Sequence, residues 1–275
     1  MSKDWITQNN PPASLISEHR PVTTEIIAPA KINLFLHVTG KKENGYHLLS
    51  SLVVFSDSIH DIIRIKEADS FSFTCSNAHL ETNDNLVVKA AYALGNALNK
   101  ELNCHIHLEK NLPTAAGLGG GSSDAAATIK ALLQFWQVDA PKNLDNILLS
   151  LGADVPVCYY AKPCIMRGIG EIIEPLSYSL PDFDIEIMPQ NTTLSTEAVF
   201  KEFKPPYGPD IKASDLPEWH NKADMMKWLR QNSRNDLQPI ALTMRPDLKN
   251  VIEQREENNT LTRLSGSGPT FFVLS

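Results

Sequence analysis

Four glycines fall within five positions in PTAAGLGGGSSDA, residues 113–125. Glycine opens backbone conformations closed to other residues and lets a ligand approach the main chain. Ser122, Ser123 and Asp124 follow, all of them helix-capping types, and then an alanine-rich segment. A glycine turn that runs into a helix start gathers free N–H groups and the positive end of the helix dipole on one point. Such a point takes an anion, above all a phosphate. Three other places could carry chemistry. Lys31 and Asn33 stand two apart in an apolar run and share a face if that run is a strand. A compact ammonium there can meet a phosphate or a developing alkoxide. Tyr46 and His47 place a ring able to stack beside a group able to give or take a hydrogen bond. Asp154 is followed two residues on by Pro156, which predicts an extended Val155 and a carboxylate held in one direction.

Each of these has a plainer reading: a capped turn, a lysine at a strand edge, a tyrosine beside a satisfied histidine, and a turn or helix-capping aspartate. Three phosphate-handling patterns are excluded. No lysine follows the glycines as in the Gly-Lys-Ser/Thr loop, and Ser122 stands where a dinucleotide-binding loop needs its third glycine. The His-Arg-Asp and Asp-Phe-Gly elements of protein kinases are missing.

The elements that must position these residues follow from periodicity. Residues 25–38 read as a strand interrupted at Pro29, and 46–55 and 59–66 as two further strands. Phe71, Phe73 and Cys75 alternate with polar residues, as a half-exposed strand does. A helix through Val87, Ala90, Ala91 and Leu94 is expected to start at Asn83 or Asp84. Cys104, Ile106 and Leu108 repeat with period two and define a strand leading straight into the glycine loop. Residues 122–134 and 143–151 read as helices. In the second half, 183–188 alternates like a strand, 204–217 is proline-rich and loop-like, and 223–230 and 248–254 read as helices. A second glycine turn, LSGSGPT at 264–270, precedes an apolar run at 271–274. By itself it is equally a turn between strands.

Composition narrows the class. The chain has 275 residues, 42% hydrophobic and 21% charged, enough for one large or two modest domains with a real core. A net charge of -7 without a basic run excludes the electrostatic footprint of a nucleic-acid binder. Cys75, Cys104, Cys158 and Cys164 form no CxxC pair, which argues against zinc and predicts reduced, packed thiols. His105 and His107 share a strand face, but two ligands without a third make no metal site, and an exposed face is expected. No apolar run reaches the roughly 18 residues of a membrane span. Residues 1–24 form a polar extension without the apolar core of a signal peptide, which predicts a cytoplasmic address.

PTAAGLGGGSSDAAA resembles the phosphate-binding motif of the GHMP kinases, a family of small-molecule kinases. PAKINLFL at 29–36, GYHL at 45–48, LGADVPV at 151–157 and LSGSGPT at 264–270 are similar to other motifs of that family. The resemblance spans about residues 26–274, dense in the motifs and thin over 201–254. It implies an α+β fold of two domains with the active site between them. After the 1–24 extension come an ATP-binding domain at 25–178, like the second domain of a small-subunit ribosomal protein, and a ferredoxin-like C-terminal domain at 179–275. It implies ATP as cosubstrate, Mg²⁺ as its counterion with unidentified protein ligands, a small-molecule acceptor, and a monomer or weak homodimer. It places Pro113, Thr114, Ala115, Ala116, Gly117, Leu118, Gly119, Gly120, Gly121, Ser122 and Ser123 around the phosphates, and Asn85, Leu86 and Lys110 beside the adenosine. It makes Asp154 the catalytic base, with Lys31 favouring the negative oxygen, and sets Asn33, Tyr46, His47, Thr196 and Phe200 against the acceptor. The GLGGGSSDA form and the Tyr46-His47 pair imply the branch that phosphorylates the 2-hydroxyl of 4-(cytidine 5′-diphospho)-2-C-methyl-D-erythritol in non-mevalonate isoprenoid synthesis. Mevalonate, a phosphomevalonate or homoserine are the alternative acceptors, and a non-enzymatic translation-type module is the alternative outside the family. Family members usually continue with another helix after the last strand, whereas this sequence stops at Ser275, so the resemblance implies a sequence incomplete at its end.

Overall fold

The long strand β3 (His47–Glu67) is the spine on which the first sheet is built. The computed structural model describes residues 23–114, 116–190, 192–255 and 260–275; the polar opening segment up to residue 22 and Ala115 of the glycine loop lie outside them. β1 (Thr24–Asn33) and β2 (His37–Lys41) both pair antiparallel with β3. β4 (Ser72–Cys75) pairs parallel with β5 (Cys104–Glu109), and β5 pairs antiparallel with β3. β6 (Cys164–Gly168) and β7 (Ile172–Pro175) extend the sheet on the other side, giving the path β4-β5-β3-β6-β7. The strands expected at 46–55 and 59–66 are one. The join is a bulge: Pro29 faces His60 while Ala30 already faces Ser56, which leaves residues 57–59 without a partner on β1. Pro29 has no N–H to give the ladder, so the irregularity falls where a bond is missing anyway.

That bulge decides which way β1 points. Before it, Ala28 packs in a core with Ile63, Ile65, Ala125 and Ile129. After it, Ala30, Ile32 and Leu34 pack in a second core with Trp219, Met225, Leu229 and Phe272. The pairing slips by three residues, and a slip by an odd number exchanges the faces of a strand. Lys31 and Asn33 are thereby turned to the helical side of the sheet, where the glycine loop lies.

That side carries α1 (Leu86–Leu98), α2 (Gly120–Trp136), α3 (Leu144–Leu151) and α4 (Val155–Tyr160). α1 starts at Asn85, whose Oδ1 accepts the Val87 N–H at 2.9 Å, and not at Asn83 or Asp84. α2 starts two residues earlier than expected. Its cap is Gly119 in the left-handed conformation, with no side-chain cap bond, so the serines and Asp124 are helical residues rather than caps. α4 was not legible, and Val155 is its first residue instead of an extended one. Pro156 is accommodated because the first N–H groups of a helix have no intrahelical partner to lose.

The second sheet contains β8 (Ile185–Met188), β9 (Leu261–Leu264) and β10 (Phe271–Leu274), all antiparallel in the order β8-β10-β9. Around it lie α5 (Thr196–Glu202), α6 (Lys222–Asn232), α7 (Gln238–Met244) and α8 (Lys249–Glu253). Buried Arg263 on β9 ties this half to the first. It donates to the carbonyls of Leu34, Leu229 and Ser233 at 2.7–2.9 Å.

His105 and His107 are half-buried, not exposed, and both are held by Thr74 Oγ1, at 3.1 and 2.9 Å. Among the described residues no cluster of His, Cys, Asp and Glu could hold a metal ion, and no helix is long and apolar enough to cross a membrane. All four cysteines are buried and free.

His37 gives this fold a pH dependence. The ring is fully buried; its Nε2 accepts the Arg234 N–H at 3.2 Å, and Nδ1 donates to the Pro209 carbonyl at 3.1 Å. Burial lowers its pKa from the ordinary 6.5, against the opposing pull of Asp236. The unfolded chain therefore takes up a proton near pH 6.5 that the native state refuses. Stability from this group is present above pH 6.5 and is lost as pH falls below it, by at most about 1.4 kcal/mol per pH unit. The melting temperature is expected to drop between pH 7 and 5.5, less steeply in His37→Gln; equal slopes would refute it.

Candidate active site

The glycine loop is wedged between β1 and the second glycine turn. The Lys31 N–H donates to the Leu118 carbonyl at 2.8 Å. Gly119 has φ +64°, and a Cβ there would lie 3.0 Å from Lys31 Cβ. Gly117 has φ +74°, and its Cβ would lie 2.5 Å from the Ser265 carbonyl oxygen and 3.0 Å from that of Gly268. Ser265 Oγ donates to the Gly117 carbonyl at 3.0 Å, and the Thr270 N–H to that of Ala116 at 3.3 Å. The two glycine turns are thus interlocked. Just past the loop, the Gly120, Gly121 and Ser122 N–H groups form the first turn of α2. An α-helix leaves these donors without carbonyl partners, and Gly121 is exposed. The start of α2 can therefore receive an anion.

Lys31 is 4% exposed, and its Nζ meets Asp154 Oδ2 at 2.7 Å. Asp154 precedes α4 but makes no capping bond, which leaves its carboxylate to the lysine. About a third of the Asp154 side chain faces solvent, whereas that of Lys31 is almost wholly inside. A reachable carboxylate is thus oriented by an ammonium that cannot move away. Asn33 beside it is equally buried; its Nδ2 donates to Ser51 Oγ at 2.7 Å and its N–H to Ser265 Oγ at 3.3 Å. Its Oδ1 has no partner among the described residues.

The residues expected at the acceptor come from both halves of the chain. His47 stacks on Phe200 of α5, with ring centroids 5.2 Å apart and 27° between planes. Burial lowers the His47 pKa, with Lys41 adding to the effect. Tyr46 stands at the rim, 60% exposed. Thr196 Oγ1 lies 2.9 Å from Ser267 Oγ in the second glycine turn.

The nucleotide-side residues are arranged less uniformly. Leu86 borders the loop: its Cδ1 would lie 3.5 Å from a Cβ at Gly121. Asn85 is occupied in capping α1. Ser123 Oγ is buried and donates to the Pro29 carbonyl at 2.8 Å. A cleft of about 700 Å³ is lined by Lys110, Pro113 and Thr114 on one side and by Gln190, Thr193 and Arg245 on the other. Lys110 Nζ itself is engaged by two buried aspartates, Asp61 and Asp124. Burial pushes Asp124 up to about 8, against the pull of Lys110. Asp61 was not anticipated from the sequence. Its signal was present, since an aspartate amid the apolar residues of β3 must find a buried partner.

A phosphate cradle and a lysine-anchored carboxylate on adjoining elements are the equipment of an enzyme that transfers phosphoryl groups to alcohols. The comparisons agree. The GHMP kinases N terminal domain matches residues 85–162, and the GHMP kinases C terminal domain matches residues 212–275. The 4-diphosphocytidyl-2-C-methyl-D-erythritol kinase of Agrobacterium fabrum is 43% identical over 257 residues, covering 89% of this chain and 85% of its own. That of Ruegeria pomeroyi is 41% identical, covering 91% and 88%. A crystal structure of 4-(cytidine 5′-diphospho)-2C-methyl-D-erythritol kinase superposes with a TM-score of 0.76 at 29% identity, over 91% of this chain and 90% of that one. Homoserine kinase from Cytophaga hutchinsonii, at 17% identity and TM-score 0.63, shares the fold over 95% of this chain and 88% of its own. The chain belongs to the GHMP kinase family, with the α+β fold of that family and its use of ATP.

Proposed function

We propose that the protein transfers the γ-phosphoryl group of ATP to the 2-hydroxyl of 4-(cytidine 5′-diphospho)-2-C-methyl-D-erythritol, as a kinase of non-mevalonate isoprenoid synthesis. The observation that carries the reading is the double engagement of Lys31. Its N–H is bonded to the glycine loop and its Nζ to Asp154, so donor site and base share one residue. Relatives carrying this activity in their names match it at 40–43% identity across most of its length, which supports the same acceptor.

In this reading the loop from Pro113 to Ser123 holds the phosphates, chiefly through the Gly120, Gly121 and Ser122 N–H groups. Asn85 and Leu86 border the adenosine. Tyr46, His47 and Phe200 enclose the cytosine, with Asn33 and Thr196 on the rest of the acceptor. The 2-hydroxyl oxygen attacks the γ-phosphorus, a new O–P bond forms, the bond to the β,γ-bridging oxygen breaks, and the proton passes to Asp154. A carboxylate is a far weaker base than an alkoxide, so the proton moves as the attack proceeds. Lys31 Nζ steadies the carboxylate and favours negative charge on the attacking oxygen. We read the two sheets as two domains, 25–178 and 179–275, with this site along their seam. Mg²⁺ would enter as the counterion of the triphosphate, and this reading gives it no protein ligands of its own. Such an ion would neutralise charge on the transferring phosphate groups.

A panel of alcohols offered with γ-labelled ATP tests the assignment. Label is expected in the cytidyl acceptor and not in mevalonate, phosphomevalonate or homoserine. Transfer to one of those three in preference would overturn it.

A further inference from the structure

Asp61 is a carboxylate with no exposed surface in the middle of β3. Its Oδ1 accepts the N–H groups of Asn111 and Leu112, at 2.6 and 2.7 Å, and these two residues lead into the glycine loop. Its Oδ2 accepts from Lys110 Nζ, and the same ammonium donates to Asp124 Oδ2 at 2.7 Å. Asp124 belongs to α2, the helix that leaves the loop. A Cβ at Gly120 would lie 3.1 Å from Lys110 Nζ, so the ammonium passes directly beneath the first residue of that helix. The start and the finish of the loop therefore hang on one lysine, through Asp61 on one side and Asp124 on the other.

Stability alone does not account for this arrangement. All three side chains are nearly or wholly inside the protein, and well-packed apolar residues commonly serve stability as well as a buried ion pair. What directional hydrogen bonds add is a fixed geometry. A glycine-rich segment has large conformational freedom to lose, and N–H groups already aimed at a phosphate bind it without that loss.

We propose that Asp61, Lys110 and Asp124 form a clamp that sets the spacing between the two ends of the phosphate loop, and that Asp61 is a positioning residue for ATP without touching it. Lys110 then acts through the loop and not as a separate nucleotide contact. The proposal rests on the reading of this loop as the ATP site.

Asp61→Asn tests it. The amide keeps the size and one acceptor oxygen but turns an NH₂ group toward Lys110. KM for ATP is expected to rise about tenfold, with kcat and the acceptor KM changing less than about twofold, because only the donor site is misaligned. Lys110→Met is expected to do the same, and the double variant no more than the larger single one, since members of one unit do not add. A role in stability alone would lower the melting temperature without selectively raising KM for ATP. An unchanged KM for ATP in folded Asp61→Asn would overturn the clamp, as would multiplied effects in the double variant. If Asp61→Asn does not fold, Asp124→Asn is read by the same criterion. Wild-type protein that turns over no ATP at all would instead remove the underlying assignment of the loop, and that is seen before any variant is compared.

Discussion

Asp154→Asn is expected to lower kcat by about 10³-fold, the middle of the range for a positioned general base. ATP binding is expected to persist, because the loop contacts of Lys31 run through its backbone. The asparagine oxygen can still accept from Lys31 Nζ, so the ammonium keeps a hydrogen bond but loses its counter-charge. With a third of Asp154 already facing water, we expect a stability loss of about 1–2 kcal/mol, below that of breaking a fully buried pair. Asp154→Ala removes the acceptor as well and should be less stable than Asp154→Asn, with an equally low rate. Single-turnover rates, thermal melts and an ATP-induced melting shift separate these effects. A rate near wild type in either variant would remove Asp154 from the role of base.

The second large effect belongs to Gly117→Ala. The new Cβ would sit 2.5 Å from the Ser265 carbonyl oxygen, and at φ +74°. Left-handed backbone is disfavoured by about 1–2 kcal/mol for a residue with a side chain. Overpacking against backbone, which cannot rotate aside, adds about 1–3 kcal/mol. The two glycine turns must move apart, and the loop moves with them. A fall in stability of about 2–5 kcal/mol should accompany a KM for ATP raised at least about tenfold. Gly121→Ala is the control. That position is helical, and its nearest neighbour is Leu86 Cδ1 at 3.5 Å, so stability should hold or rise slightly. Similar melting temperatures for Gly117→Ala and Gly121→Ala would contradict the interlock.

The parts of this site that the sequence made legible are those whose chemistry is local. The glycine loop, the Lys31-x-Asn33 spacing and the Tyr46-His47 pair each declare themselves within a few residues. What stayed hidden depends on neighbours distant in sequence. The two apparent strands at 46–55 and 59–66 merge because β1 spans the polar gap with a bulge at Pro29. Only that bulge explains how Lys31 comes to face the helices. Lys110 looks like any lysine at the end of a strand until Asp61 arrives from 49 residues earlier. α4 was obscured because Pro156 signals extended backbone in most settings, and its tolerance depends on the helix starting at Val155. Serines after glycines look like caps, yet α2 begins before them. The short strands β6 and β9 take their form from burial against other parts of the chain, with little pattern of their own.

The interlock of the two glycine turns also bears on the order of events during synthesis. Gly117 is cradled by Ser265 and Gly268, and its carbonyl accepts from a serine 148 positions further along the chain. The first sheet and its helices can assemble while the remainder is still being made, but the seat for the triphosphate cannot. A ribosome-bound chain must expose the β9–β10 hairpin before the loop is braced in the shape the nucleotide recognises. Nucleotide recognition therefore waits on the turn at 264–270, and a nascent chain should show nucleotide protection abruptly once that turn has emerged rather than gradually along its length.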